Sequence, residues 1–281
     1  MPTAKSRTAD LVTIAVPIYN GGKYLAECID SVFNQTYQHI ELILVDNASS
    51  DNTSDVIRKY RETSSAIIHQ RNPQTVSMAD NWNIAVSLAS GQYLKLLPCD
   101  DVLTPHCIER QVSLLHKHTD AVFTSCAKRL ITANGRPKFK KSGLPTGLYS
   151  GPETARRCFE MISNPLGEPP SILFHLARLQ QEIEYDPNIK YFTDLDLLVT
   201  IMSSGGKIYH TDEALYYYRL HKGSETVRLR KEILHDYIRM LDKHKSKLGV
   251  ASSPLYFRYL KIKLRLISFL RNIITDILIR N

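Results

Sequence analysis

The stretch LVTIAVPIYNGG, residues 11–22, decides the fold: apolar and β-branched residues run straight into a Tyr-Asn-Gly-Gly turn. An apolar run of this length, closed by turn residues, reads as a buried strand followed by a loop. Working outward, Leu25, Cys28, Ile29, Val32 and Phe33 recur at helical spacing, and Glu41 to Val45 (ELILV) is a second buried strand. The polar run from Asp46 to Thr53 predicts a loop, Ser54 to Tyr60 a helix, and Ala66 to His69 a third strand. A helical pattern through Met78, Trp82, Ala85, Val86 and Leu88 stops at Gly91, and Tyr93 to Leu97 runs into Cys99-Asp100-Asp101.

Strands alternating with helices predict an open α/β fold: a Rossmann-like, mixed and mostly parallel sheet flanked by helices. Ligands of such sheets sit at the carboxyl ends of the strands. Here those ends carry Tyr19-Asn20, Asp46-Asn47 and Asp100-Asp101, so three polar loops are expected to share one crevice. The stretch 134–152 is rich in Gly, Pro and Lys and reads as an irregular connection. It divides a first half, about 11–133, which carries the three polar loops, from a second half, about 150–225, within one domain 1–225. Residues 226–281 read as a C-terminal helical extension.

The 281 residues, 43% hydrophobic and 23% charged, suffice for one substantial core. A net charge of +8 admits nucleic acid, an anionic membrane or an anionic small substrate. Lys and Arg gather in the tail and the 134–152 connection, away from aromatic stacking positions, which argues against nucleic acid. Five scattered cysteines without a CxxC pair read as reduced, buried thiols. The polar start MPTAKSRTAD lacks the apolar core of a signal peptide, and no uncharged run is long enough to span a bilayer. A cytoplasmic location, with peripheral contact at the inner face of the cell membrane, is therefore the expectation.

Paired aspartates after a strand suit a divalent ion bound to a diphosphate, because Mg²⁺ and Mn²⁺ prefer hard oxygen ligands. Asp100-Asp101 fits, although Asp before Val102-Leu103-Thr104-Pro105 is also good helix-capping chemistry. Asp46 and Asn20-Gly21-Gly22 taken singly are ordinary turn residues. Their joint order is more specific. Pro17, Tyr19, Asn20, Leu25, Ser31, Gln35, Thr36, Tyr37, Glu41, Asp46, Ser50, Asp51 and Thr53 resemble the opening of the inverting family 2 glycosyltransferases of bacterial cell-surface polysaccharide type, and the likeness runs from about residue 12 to 224.

That resemblance implies a GT-A fold, a nucleotide-sugar donor (UDP or dTDP) and a divalent metal, Mg or Mn. It implies that Asp46 holds the base and Asp100 the ribose, with Asp101 on the metal, and that Pro17, Tyr19, Asn20 and Asn81 join the nucleotide site. Pro98 stands where the commonest pattern has a further aspartate, and Asn47 replaces a frequent second aspartate, leaving uridine and thymidine both open. Tyr191 to Leu197 resembles the family's Glu-Asp element, which makes Asp194 the general base, with Thr193 in place of the usual glutamate. A carboxylate suits the task because inversion needs a base to take the acceptor hydroxyl proton. On spacing alone Asp194 is equally a helix cap and Asp196 a solvated helix position.

Tyr218-Arg219-Leu220-His221 resembles the family's closing segment, with Arg219 available to the leaving diphosphate and His221 to the metal or to plain solvent. The loop 164–171 resembles an acceptor-side loop, where Glu168 is the candidate contact and a rigid Pro-rich turn the alternative. The acceptor implied is a hydroxyl of a glycan or lipid-linked glycan.

From Pro254 to Asn281 six Lys or Arg face one Asp. Leu255, Tyr259, Ile262, Leu266, Ile273 and Ile277 form a helical stripe opposite Arg258, Lys261, Arg265, Ser268 and Asn272. Such a segment lies on an anionic membrane or packs on the catalytic domain or a second subunit as a homodimer contact. A catalytically inactive, transferase-like scaffold is the competing class; retention of Asp46, Asp100, Asp101 and Asp194 argues against it.

Overall fold

The computed structural model describes residues 7–249, 258–259, 262–267 and 269–270. The chain begins β1 (Thr8–Ile18), α1 (Leu25–Phe33), β2 (Ile40–Asp46), α2 (Thr53–Thr63), β3 (Ile67–Arg71), α3 (Met78–Ser87) and β4 (Gly91–Leu96). It continues with β5 (Val102–Leu103), α4 (Cys107–Lys117), β6 (Ala121–Thr132), β7 (Pro137–Lys141), β8 (Gly147–Ser150) and α5 (Gly151–Met161). Then follow β9 (Leu173–His175), α6 (Thr193–Ser203), β10 (Lys207–Leu220), α7 (Glu225–Arg228) and α8 (Ile233–Leu248).

The strands form one sheet in the order β3-β2-β1-β4-β9-β6-β10-β5, with β7 on β6 and β8 on β10. Strands β3, β2, β1 and β4 are mutually parallel, as are β6 and β10, while β9 runs antiparallel between the two groups. The sequence therefore anticipated the mixed, mostly parallel sheet and every element up to β4. Strand β1 pairs with β2 on one side and β4 on the other, so the crossover direction reverses there and opens a crevice at its carboxyl end.

The two faces of β1 explain the layers. Val12, Ile14, Val16 and Ile18 pack with Leu25, Cys28, Ile29 and Val32 of α1, Ile57 of α2 and Ile108 and Val112 of α4. Ala15 on the other face joins Ala79 and Ala85 of α3 with apolar residues of α5, α6 and α8. Period-2 alternation thus sorts side chains into two separate cores.

Several residues that carry the family pattern turn out to be scaffold. The Gln35 side chain donates to the carbonyls of Ser31 and Thr104 and accepts from Ile108 N, locking α1 to the start of α4. Glu41 accepts from Ser90 N and Ser90 Oγ at 2.7 Å, stapling β2 to the entry of β4.

Two expectations change. The 134–152 connection is not irregular: it contains β7, β8 and the start of α5, which extend β6 and β10 at the sheet edge. Helix α8, the start of the expected helical extension, packs on the catalytic domain, where Ile233, Tyr237, Met240, Leu241 and Leu248 complete the core beside α5 and α6. Asp196 is not solvated; it is buried and meets His244 Nε2 at 2.7 Å and Lys243 Nζ at 2.6 Å from α8.

In the tail, Tyr259, Ile262 and Leu266 are exposed, with Leu264 buried and Ile267 packed on the core in their place, and Lys263 Nζ donating to Glu160 O at 2.7 Å. Leu255, Lys261, Ser268, Asn272, Ile273 and Ile277 lie outside the described residues. All five cysteines are free thiols. No helix among the described residues is long and apolar enough to cross a membrane.

Candidate active site

The carboxyl ends of β1 and β4, the loop after β2, the β6–β7 turn and the end of β10 open onto a cavity of about 1300 Å³. Of the eleven site residues expected from the sequence, nine line it: Pro17, Tyr19, Asn20, Asn81, Asp100, Asp101, Glu168, Asp194 and His221.

One end is built by short polar loops that hold each other. Asn20 adopts φ +50°, a conformation asparagine tolerates better than most residues, and its N–H donates to Ser49 Oγ at 2.9 Å. Its Oδ1 accepts from Ser50 N at 2.9 Å, so the loops after β1 and β2 are stitched in both directions. Gly21 leaves no room for a side chain: a Cβ there would stand 2.7 Å from Cys99 Sγ. Asn72 Nδ2 bridges Asn47 Oδ1 at 3.0 Å and Asn81 Oδ1 at 2.9 Å, and Val76 N also donates to Asn47 Oδ1. This amide chain fixes Asn47, Val76 and Asn81 against the cavity. Ser77 caps α3 by accepting from Asp80 N at 3.1 Å.

In the middle, His221 Nε2 lies 3.0 Å from Asp100 Oδ2. An imidazole nitrogen beside a carboxylate oxygen at a cavity wall fits Mn²⁺ or Mg²⁺, with further positions left for ligand oxygens. Asp101 lines the same wall but is only 1% exposed, and its Oδ1 accepts from Arg219 N at 2.9 Å. Burial first, and the neighbouring Asp100 charge second, push its carboxyl well above the ordinary aspartate value.

The far end holds Asp194, in the first turn of α6, whose Oδ2 accepts from Asn164 Nδ2 at 3.0 Å. Burial, then the charge of Glu168, raise its carboxyl to about 6, against the opposing pull of its hydrogen bonds. Glu168 shifts the other way. Burial opposes its ionisation, yet the adjoining Lys128 ammonium and a 2.8 Å hydrogen bond from Tyr216 OH hold it below the usual glutamate value. Two carboxyls in one cavity are thus separated, one fixed as an anion and the other titrating near neutrality.

Two of the expected residues do not line the cavity. Asp46 is 0% exposed and outside the lining, because its carboxylate pairs with Arg71 and accepts from Ser49 N at 2.9 Å. Asn47, one residue on, lines the cavity in its place. Arg219 is 2% exposed and also outside the lining. Its Nε donates to Asp100 O at 2.9 Å, its NH2 to Glu27 Oε2 at 2.5 Å, and its guanidinium stacks on the Tyr24 ring at 4.7 Å. It braces the wall, and the cations that do line the cavity are Lys23, Arg136, Lys190, Lys222 and Arg228.

Sequence reasoning missed Lys128 and gave Asn164 and Asn72 no role beyond the family pattern; all three act through side-chain contacts across 40, 30 and 25 residues. No local pattern marks partners that distant. Helix α8 reaches the same region: Asp236 Oδ2 accepts from Lys190 N at 2.8 Å and Tyr191 N at 2.5 Å, just before Asp194.

Residues 13–175, more than half of the chain, match the family model described as Glycosyl transferase family 2. Glycosyltransferase GlyG of Streptococcus pneumoniae is 37% identical over 103 residues, which is 36% of this chain and 34% of GlyG, so the match spans about a third of that relative. The Escherichia coli UDP-Glc:alpha-D-GlcNAc-diphosphoundecaprenol beta-1,3-glucosyltransferase WfaP is 28% identical over 227 residues, 80% of this chain and 83% of WfaP. Among solved structures, mannosyltransferase PcManGT from Pyrobaculum calidifontis, determined with GDP-Man and Mn²⁺, shares the fold. Its TM-score is 0.60 at 16% identity, over 98% of this chain and 85% of that chain.

Proposed function

Because the chain belongs to glycosyl transferase family 2 and is a glycosyltransferase, we propose that its cavity takes a UDP- or dTDP-sugar and passes a hexosyl or deoxyhexosyl group, with inversion, to a hydroxyl of a glycan or lipid-linked glycan. The observation that carries this reading is Asp194: a cavity carboxyl raised to about 6, beside an acid locked as an anion, is a base poised for neutral pH. Asp194 takes the acceptor hydroxyl proton as that oxygen bonds to the anomeric carbon and the bond from that carbon to the diphosphate breaks.

The nucleotide lies in the half 11–133, against Pro17, Tyr19, Asn20, Asn47, Asn81 and Asp100. The acceptor lies in the half 150–225, near Glu168. Asp100 and His221 would hold Mg²⁺ or Mn²⁺, with Asp100 taking the place expected for Asp101, which is only 1% exposed and accepts from Arg219 N; when bound, such an ion neutralises charge gathering on the leaving diphosphate. The Mn²⁺ named with PcManGT supports that assignment. Lys222 and Arg136 add positive charge at the same rim.

A lipid-linked acceptor is supported by the diphosphoundecaprenol in the name of WfaP and by the tail. There Tyr259, Ile262, Leu266, Phe269 and Leu270 are between 49% and 63% exposed, beside exposed Arg258 and Arg265. An apolar face edged with cations suits the cytoplasmic face of an anionic membrane, with a second copy of the chain as the other partner such a face admits.

Calorimetric titration with UDP and with dTDP, each with and without Mn²⁺, tests the reading. Metal-dependent binding of one nucleotide is expected. Absence of binding to either, with or without metal, would sink the transferase assignment in favour of a scaffold.

A further inference from the structure

The N-cap and first turn of α8 carry a group of metal-ligating side chains that sugar transfer does not use. Glu232, His235 and Asp236 stand at i, i+3 and i+4, which places them on one side of the helix, and their ligating atoms lie within 4.8 Å of one another. Asp236 is 1% exposed. Its Oδ2 is committed to the N–H groups of Lys190 and Tyr191, whereas its Oδ1 is buried and has no hydrogen-bond partner among the described residues. A buried carboxylate oxygen without a donor is an acceptor that a cation satisfies. The charges that bear on Asp236 are Glu232, which opposes its ionisation, and His235, which favours it.

We propose that Glu232, His235 and Asp236 form a second divalent metal site, of the zinc type, distinct from the cavity pair of Asp100 and His221. One imidazole nitrogen with two carboxylate oxygens is a ligand set that suits Zn²⁺ and leaves a fourth position for water. His235 is exposed and half-buried Glu232 flanks it, so the ion has a path in from solvent. The two backbone N–H groups on Oδ2 orient the carboxylate as outer partners of metal ligands do. Two carboxylates outweigh the positive end of the α8 dipole. Occupation ties the backbone of Lys190 and Tyr191, both in the cavity wall, to α8 just ahead of Asp194.

The test is a Zn²⁺ titration of the chelator-stripped protein by calorimetry, paired with thermal melts followed by circular dichroism. Wild type is compared with His235→Ala, Glu232→Gln and, as a cavity control, His221→Ala. His235→Ala and Glu232→Gln are expected to bind one Zn²⁺ equivalent fewer than wild type. His221→Ala keeps that equivalent and a Zn²⁺-dependent rise in Tm, which His235→Ala lacks. Unchanged stoichiometry in His235→Ala, or no Zn²⁺-dependent rise in His221→Ala, overturns the proposal. Because His235 is exposed, its replacement leaves the fold available for the measurement.

Discussion

The side-chain amide of Asn164 donates to Asp194 Oδ2 at 3.0 Å, tying the loop after α5 to the first turn of α6. A donor aimed at a carboxylate favours its charged form, so this contact restrains the upward push that burial gives Asp194. If Asp194 is the base, kcat/KM rises with pH through about 6 and levels off above it. Asn164→Leu is then expected to move that limb to higher pH. An unmoved limb would separate the titrating group from Asp194.

Asp194→Asn removes the base while keeping the shape of the side chain. Transfer is expected to fall on the order of 10²–10⁴-fold, the usual weight of general base catalysis, with nucleotide affinity unchanged by calorimetry. The same variant reports on stability. A carboxyl whose folded value is raised to about 6 from 3.8 stabilises the fold fully below about 4, and that stability is lost as pH rises through 6. Asp194→Asn therefore melts higher than wild type at pH 7.5 and shows no such gain at pH 4.

Arg219 and Lys222 separate bracing from ligand charge. Arg219→Ala strips the donor from Asp100 O, and a buried acceptor left unpaired costs about 1–3 kcal/mol, whereas half-exposed Glu27 turns to water instead. A lower Tm is expected. Lys222→Ala should leave Tm unchanged and weaken binding of the nucleoside diphosphate more than of the free nucleoside. Equal weakening of both ligands would remove Lys222 from the diphosphate.

Metal removal tests Asp100 and His221. Chelator treatment is expected to abolish transfer and Mn²⁺ to restore it. His221→Ala and Asp100→Asn should each demand more Mn²⁺ for half-maximal activity, and a normal Mn²⁺ titration in both would exclude the pair as ligands.

Gly21→Ala probes the contact between the loops after β1 and β4, because the new Cβ meets Cys99 Sγ at 2.7 Å and Ile18 Cγ2 at 3.0 Å. Overpacking of this kind costs about 1–3 kcal/mol, read as a lower denaturation midpoint. Cys99→Ala in the same chain relieves the closer clash, so the double variant should recover part of the loss. Strict additivity of the two changes would place the strain elsewhere.

The first four strands and three helices were legible because each is a local pattern: an apolar run such as 11–18, or helical spacing such as Leu25, Cys28, Ile29 and Val32. The cavity was legible for a related reason, since a parallel sheet must bring Tyr19-Asn20 and Asp100-Asp101 to the same edge. The strands of 134–152 were hidden because they are short and rich in Lys and Gly: β7 is an exposed hairpin partner of β6 with no apolar run, and β8 owes its pairing to β10, far away in the chain.

By itself, then, the sequence determined the alternating α/β order, the loops that converge and the candidate acids Asp100, Asp101 and Asp194. Only the tertiary structure decided what each charge meets. Asp46 and Arg219 are consumed by Arg71 and Glu27, Glu168 is held as an anion by Lys128, and Asp194 is left to titrate near 6. The reason is physical: side-chain spacing follows the local backbone period, whereas burial and Coulomb partners arise between residues that folding alone brings together.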